Sequence, residues 1–127
     1  MVVLDTSVIV DHLRRPAEES ILIKLLESNI NQTFAISVVS IQELYEGEST
    51  KNEVKENHLL STLSSLEILP YNTEVAKIAG KIARDLPNSI DFADAAIAAT
   101  AINSASELVT LNEKHFKDIP SLDLFKR

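Results

Sequence analysis

The 127-residue chain has no cysteine and no tryptophan, and only two glycines and four prolines. Without cysteine there are no disulfides, thiolate metal sites, iron–sulfur clusters or cysteine nucleophiles, so any bound metal must be held by oxygen or imidazole. Long apolar runs are also missing. The hydrophobic residues, 45% of the chain, come in short blocks, and none approaches the roughly 18 residues that a membrane span requires. Basic residues are scarce as well: 12 Lys and Arg against 19 Asp and Glu give a net charge of −7. That balance argues against a simple basic nucleic-acid binder, because phosphate backbones are held mainly by Lys and Arg. An acidic protein can still act on a phosphate substrate if its carboxylates converge on divalent cations, which invert the local field. The N-terminus shows neither a basic leader nor a small-residue cleavage site, so a soluble, cytoplasmic protein is expected.

The length suits one domain covering residues 1–127, with enough apolar content for a core. Val2 to Leu4 reads as a buried strand feeding a helix at Asp5-Thr6-Ser7. Pro16, Glu18 and Glu19 are expected to open a second helix that stops near Asn29. Thr33 to Ile36 reads as a strand, followed by a helix to Gly47 that carries Glu43. A surface helix from about Lys51 to Ser65 and a short strand from Glu67 to Leu69 follow. Residues 73–86 show the clearest 3.6-residue period, with Pro87 just beyond. Residues 90–103 have no polar face from Ala95 to Ile102, as in a helix surrounded by protein, and their carboxylates Asp91 and Asp94 lie near the start. Glu107 to Leu111 is a further strand ending at Asn112, and Leu122 to Phe125 adds a last one. Strands alternating with helices imply an α/β domain with a mainly parallel sheet and helices on both faces. Ligands in such folds gather beyond the C-terminal strand ends, where Asp5 and Asn112 fall.

Each acid has an ordinary explanation. Asp5 is placed to cap the first helix, Glu43 to complete a capping box with Ser40, and Asp91 and Asp94 to complement a helix dipole. The joint pattern is harder to explain this way. Asp94 is expected about a turn inside an otherwise apolar helix, where an unpaired carboxylate loses several kcal/mol of hydration unless a cation or donors are supplied.

Four segments carry a family resemblance. Val2-Val-Leu-Asp5-Thr6-Ser7 resembles the first motif of the PIN-domain family, an acid at a strand end followed by Thr or Ser. Ser40-Ile-Gln-Glu43-Leu-Tyr-Glu-Gly47 is similar to the second, and Asp94-Ala-Ala-Ile-Ala-Ala to the third, as found in VapC-like toxins of VapBC toxin–antitoxin pairs. Leu108-Val-Thr110-Leu-Asn112-Glu-Lys-His-Phe116 resembles the fourth, where many relatives carry Asp in place of Asn112.

The resemblance implies a PIN-like three-layer α/β/α fold and a Mg²⁺- or Mn²⁺-dependent endoribonuclease. Asp5 and Asp94 would be the principal metal ligands, Glu43 a ligand or water holder, and Asn112 a further catalytic position. Thr6, Ser7, Thr110 and Asp91 would be supporting residues. It also implies RNA as substrate, a small antitoxin as partner and a homodimer. Mg²⁺ keeps several waters and needs few protein oxygens, which suits acids drawn from distant segments. Glu46 reads as part of a solvated helix face. His12, His58 and His115 lack ligand-like spacing and read as surface or packing residues, while Arg14, Arg15, Lys114 and Lys117 are candidate phosphate contacts.

Three other readings stand beside this one. A phosphate-accepting receiver module is disfavoured because no Lys occurs in Leu108 to Asn112, and a haloacid-dehalogenase-like phosphatase because Ser7 stands where a second Asp is needed. A PIN scaffold that binds RNA or a partner without cutting is the remaining alternative.

Overall fold

A computed structural model describes residues 1–127. Four short parallel strands form one sheet: β1 (Val2–Leu4), β2 (Phe34–Ser37), β3 (Glu67–Leu69) and β4 (Glu107–Val109), in the order β3-β2-β1-β4. Six helices connect them: α1 (Thr6–Arg14), α2 (Ile21–Ser28), α3 (Val38–Glu46), α4 (Glu53–Leu63), α5 (Thr73–Asp85) and α6 (Phe92–Asn103). This is the α/β/α arrangement expected from alternating strands and helices, because parallel strands need helical crossovers and bury both sheet faces. No helix is long and apolar enough to cross a membrane.

The strand period of two sorts β1 between two cores. Val2 and Leu4 join Val8, Ile9, Leu22, Leu25, Leu44, Leu59 and Leu63 on the side of α1 to α4. Val3 turns to the other side, with Leu108, Val75, Ala79, Ile82 and the α6 alanines Ala95, Ala98, Ala99 and Ala101. Each fully buried Leu, Ile or Val contributes about 1.5–3 kcal/mol relative to exposure, so β1, placed between the two cores, anchors the domain. In α6 every residue from Ala95 to Ala101 is buried. Its small side chains let α5 and the sheet approach closely, and the hydroxyl of Thr100 is satisfied by the Ala96 carbonyl at 2.7 Å.

Several boundaries differ from the expectation. Pro16 does not open α2: residues Ala17–Glu19 form a separate 3-10 turn, and the helix begins after Ser20, whose hydroxyl accepts from the Ile23 N–H. The Asp11 carboxylate takes the Ile21 N–H, so α1 helps to set where α2 starts. The surface helix is shorter than expected, with a 3-10 turn at Glu48–Lys51 before α4. Strand β4 ends at Val109 rather than Leu111, and the last expected strand is reduced to one bridge between Leu108 and Leu124. Strands three residues long leave little room for pairing beyond the core, so the chain turns away as soon as its apolar residues are buried.

Candidate active site

The parallel register explains how the two ends of the chain meet. Leu4 lies opposite Val109, and the Asp5 N–H continues the ladder to the Val109 carbonyl at 2.8 Å. The residues just past the two strand ends, Asp5 and Thr110, are therefore neighbours across 105 positions of sequence. Thr110 Oγ1 donates to Asp5 Oδ2 at 2.8 Å, and Ser7 Oγ donates to the same oxygen at 2.7 Å. Asp5 is only 4% exposed, yet its Oδ1 accepts no hydrogen bond and is not sealed from solvent. One oxygen of a buried carboxylate is locked and the other is left open.

Asp5 is the N-cap residue of α1, but its side chain makes no capping bond. Asp91, the N-cap of α6, makes none either. The helix-cap explanation for Asp5 therefore fails, whereas the helix-dipole explanation for Asp91 needs no such bond. The capping box of Ser40 and Glu43 fails too, because α3 opens three residues earlier, with Ser37 accepting from the Val39 N–H. Glu43 instead points back toward α1: Thr6 Oγ1 donates to Glu43 Oε1 at 2.5 Å and shares a 2.9 Å hydrogen bond with Ser40 Oγ.

Asp94 falls in the first turn of α6, rather than a full turn inside it, with its side chain 19% exposed. Its pKa is pushed up to about 6, first by desolvation and then by the charge of Asp5, with smaller contributions from Asp91 and Glu43. His115 opposes the rise, its Nδ1 3.3 Å from Asp94 Oδ2.

An open cleft of about 710 Å³ collects these groups, lined by Asp5, Thr6, Ser7, Glu43, Asp91, Asp94, Asn112 and His115. Asn112 is exposed there at the turn after β4, its N–H bonded to Thr110 Oγ1 at 2.9 Å. Each of the four motifs thus sends at least one residue to this cleft, while Thr110 stays buried behind it and reaches it only through Asp5. No three of the His, Asp or Glu side chains close tightly enough to form a complete cation cage. Two inward carboxylates and an open mouth suit a hard cation that keeps most of its waters, rather than one enclosed by protein ligands.

His115 corrects the sequence reading, which set it aside as an ordinary residue. A 3-10 turn at Glu113–His115 follows Asn112, and residues three apart eclipse in such a turn, so Asn112 and His115 reach the same cleft. That spacing was the available signal. His12 is a packing residue as expected, buried with Nδ1 2.8 Å from Ser20 Oγ. Glu46 bonds only to Gln42 on an exposed face, and Arg15 is taken up by Asp11.

Known proteins resemble this chain in sequence and fold. The PIN domain family model matches residues 2–122. Ribonuclease VapC19 of Mycobacterium tuberculosis H37Rv is 35% identical over 128 aligned residues, 96% of this chain and 97% of that protein. Ribonuclease VapC2 of Rickettsia felis is 36% identical over 99 residues, 74% of each chain. Among solved structures, a chain of VapBC2 from Rickettsia felis bound to a promoter DNA fragment superposes with a TM-score of 0.87 at 32% identity, covering 98% of both chains. DNA-bound VapBC from Salmonella typhimurium superposes with a TM-score of 0.86 at 24% identity, a likeness of fold. With its four motifs gathered on one cleft and its length matched nearly end to end, the chain belongs to the PIN-domain family, in the VapC-like group.

Proposed function

We propose that this chain is a divalent-metal-dependent endoribonuclease and the toxin of a VapBC-type pair, working as one domain over residues 1–127. The observation that carries the reading is Asp5: a nearly buried carboxylate that forgoes its capping bond, fixes one oxygen with Ser7 and Thr110, and leaves the other facing the acid-lined cleft. Holding that charge without a cation would cost stability.

In this reading Asp5 and Asp94 would hold Mg²⁺ or Mn²⁺, and Glu43 would serve as a further ligand or hold a water. When bound, the metal offsets the charge of the phosphodiester and activates water for attack at phosphorus. The protein's own part is orientation. Ser7 and Thr110 keep the open Asp5 oxygen aimed into the cleft, and Thr6 keeps Glu43 turned toward it. Asn112 offers an amide oxygen without charge, so that side of the cleft relies on substrate phosphate for negative charge. His115 Nδ1 restrains Asp94 Oδ2 beside Asp5.

The names of the relatives support RNA as substrate, and the VapBC complexes support a VapB-like antitoxin partner. A homodimer and a cytoplasmic setting follow the family resemblance. Labelled RNA incubated with the purified chain in Mn²⁺ or EDTA tests the reading: cleavage in Mn²⁺ that EDTA abolishes is expected. RNA binding without cleavage would transfer the case to a non-cutting PIN scaffold.

A further inference from the structure

The acid-lined cleft does not stop at Glu43. Thr6, Val10, Arg14 and Glu43 also border a second opening of about 550 Å³, whose far wall is Gly47 to Ser49 together with Lys55 and His58 of α4. The two openings form one path over α1. It starts at Thr6, beside the acids, and reaches Arg14 eight residues later, about 12 Å along the helix axis at 1.5 Å per residue.

The charges along this path are arranged unevenly. The carboxylates near it are already engaged: Glu43 by Thr6, Glu48 with Lys51 at 2.9 Å, Glu56 by the Tyr45 hydroxyl at 2.7 Å, and Asp11 by Arg15 and the Ile21 N–H. Arg14 and Lys55 form no ion pair. An unpaired surface cation is ordinary by itself. Here two of them, from separate helices, face one opening that shares Thr6, Val10, Arg14 and Glu43 with the acid-lined cleft. His58 is held beside them, its ring 5.4 Å from the ring of His12, which Ser20 fixes in the core. The imidazole wall is thus a supported surface.

A polyanion crossing this protein faces a simple electrostatic problem. Its phosphates are repelled at Asp5, Asp94 and Glu43 unless a cation is present, and the net charge of −7 offers little compensation elsewhere. Free cations one helix length from the centre supply it, and they also give the strand a direction across the cleft. We infer that Arg14, Lys55 and His58 form a subsite for RNA backbone phosphates remote from the bond that is cut. The inference rests on the ribonuclease reading for its ligand, and it adds which flank of the cleft carries the remainder of the strand.

The test has two arms. In EDTA, binding of a single-stranded oligoribonucleotide is followed by fluorescence anisotropy over a salt series for the parent, Arg14→Ala, Lys55→Ala and the double variant. Each substitution should weaken binding, and the slope of log K against log salt should shrink by about 0.7 per cation removed. Lys55→Arg should restore the parental slope, which separates charge from packing. In Mn²⁺, kcat/KM is compared for a dinucleotide, too short to span the path, and for the longer RNA. The double variant should lose at least tenfold more on the longer RNA than on the dinucleotide. Parental salt slopes in both single variants, or equal losses on the two substrates, would overturn the subsite and leave the opening to a protein ligand. A parent that cleaves neither RNA sinks the ribonuclease reading alone, since the EDTA arm still decides the subsite.

Discussion

Helix beginnings divide this molecule into two kinds. Helices α2, α3, α4 and α5 start on Ser20, Ser37, Asn52 and Asn72, and each of these side chains accepts a backbone N–H of its own helix. Helices α1 and α6 start on Asp5 and Asp91, equally good capping types, and neither makes the bond. The four capped starts secure local structure. The two uncapped starts open on the same cleft, and α1 turns its carboxylate to hydroxyls from other elements instead. At these two places local stability has given way to the geometry of a site, which is where a locally consistent sequence is expected to break its own rules.

The sharpest way to break this contrast is Asp5→Asn. It keeps the shape and removes the charge, so metal-dependent RNA cleavage should fall by about 10²-fold or more, while a cap bond that does not exist cannot be lost. Cleavage within a few-fold of the parent, measured under saturating Mn²⁺, would make Asp5 an ordinary structural acid.

A second effect follows from Asp94. Its carboxyl is pushed up to about 6 by desolvation first and by Asp5 second. Folding disfavours the ionised form, so stability is lowest above pH 6, rises as pH falls through 6, and levels off below the ordinary value of 3.8. With solvent reaching the cleft, the gain is on the order of 1–2 kcal/mol. Thermal melts across this range should show the rise in the parent and a flattened profile in Asp94→Asn. Mn²⁺ at neutral pH should raise the melting temperature, with the increment shrinking as the acid protonates. A parent curve that falls steadily between pH 6 and 4, with no metal response, would contradict the convergence of the acids.

The capped helices should respond in the opposite sense. Asn72→Ala removes a 3.0 Å cap from α5 and should cost about 1 kcal/mol in denaturant unfolding, with cleavage kinetics untouched. Asp91→Ala has no cap to lose, so its cost should stay under about 0.5 kcal/mol, limited to the helix dipole. If both cost the same, the contrast between the two kinds of helix start is empty.

Another small effect sits at the far end of α6. There Ala105 takes a left-handed conformation at φ 51°, and the Ser106 N–H reaches the Ala101 carbonyl at 2.9 Å. Ala105→Gly should relieve about 1 kcal/mol or less of backbone strain, seen as a slightly raised melting temperature at unchanged activity. Helix α6 would then be shown to accept strain for a C-terminal cap while doing without one at its beginning.

Much of this was legible in the sequence because the signals were periodic. The strand at Val2 to Leu4, the amphipathic α5 and the apolar α6 all followed from residue spacing, since burial of one stripe or of a whole helix leaves a direct imprint. The start of α2 was misplaced because Pro16 and the acids after it imitate a helix beginning, while the controlling contacts, Asp11 to Ile21 and His12 to Ser20, cross between elements. For the same reason Ser40 and Glu43 matched a capping box on spacing alone: a shift of three residues in the helix start turned a local pair into a contact with Thr6. The role of His115 was hidden because its partner, Asp94, is brought to it only by the sheet order. Short-range patterns were readable, and so was the placing of Asp5 and Asn112 at strand ends, whereas the joining of Glu43 and Asp94 to them was visible only through the resemblance of the four motifs.

The pairing of β1 with β4 carries a consequence for synthesis. The open oxygen of Asp5 is set by Thr110, which emerges from a ribosome long after it, and the groups at Asn112 and His115 come later still. A growing chain therefore leaves the Asp5 carboxylate without its Thr110 bond until nearly all of it has been made. A nascent or prematurely terminated product lacking β4 would keep the acids of the cleft but lack Asn112, His115 and the closing hydroxyl of Thr110, so assembly of the sheet acts as a built-in delay on completion of the site.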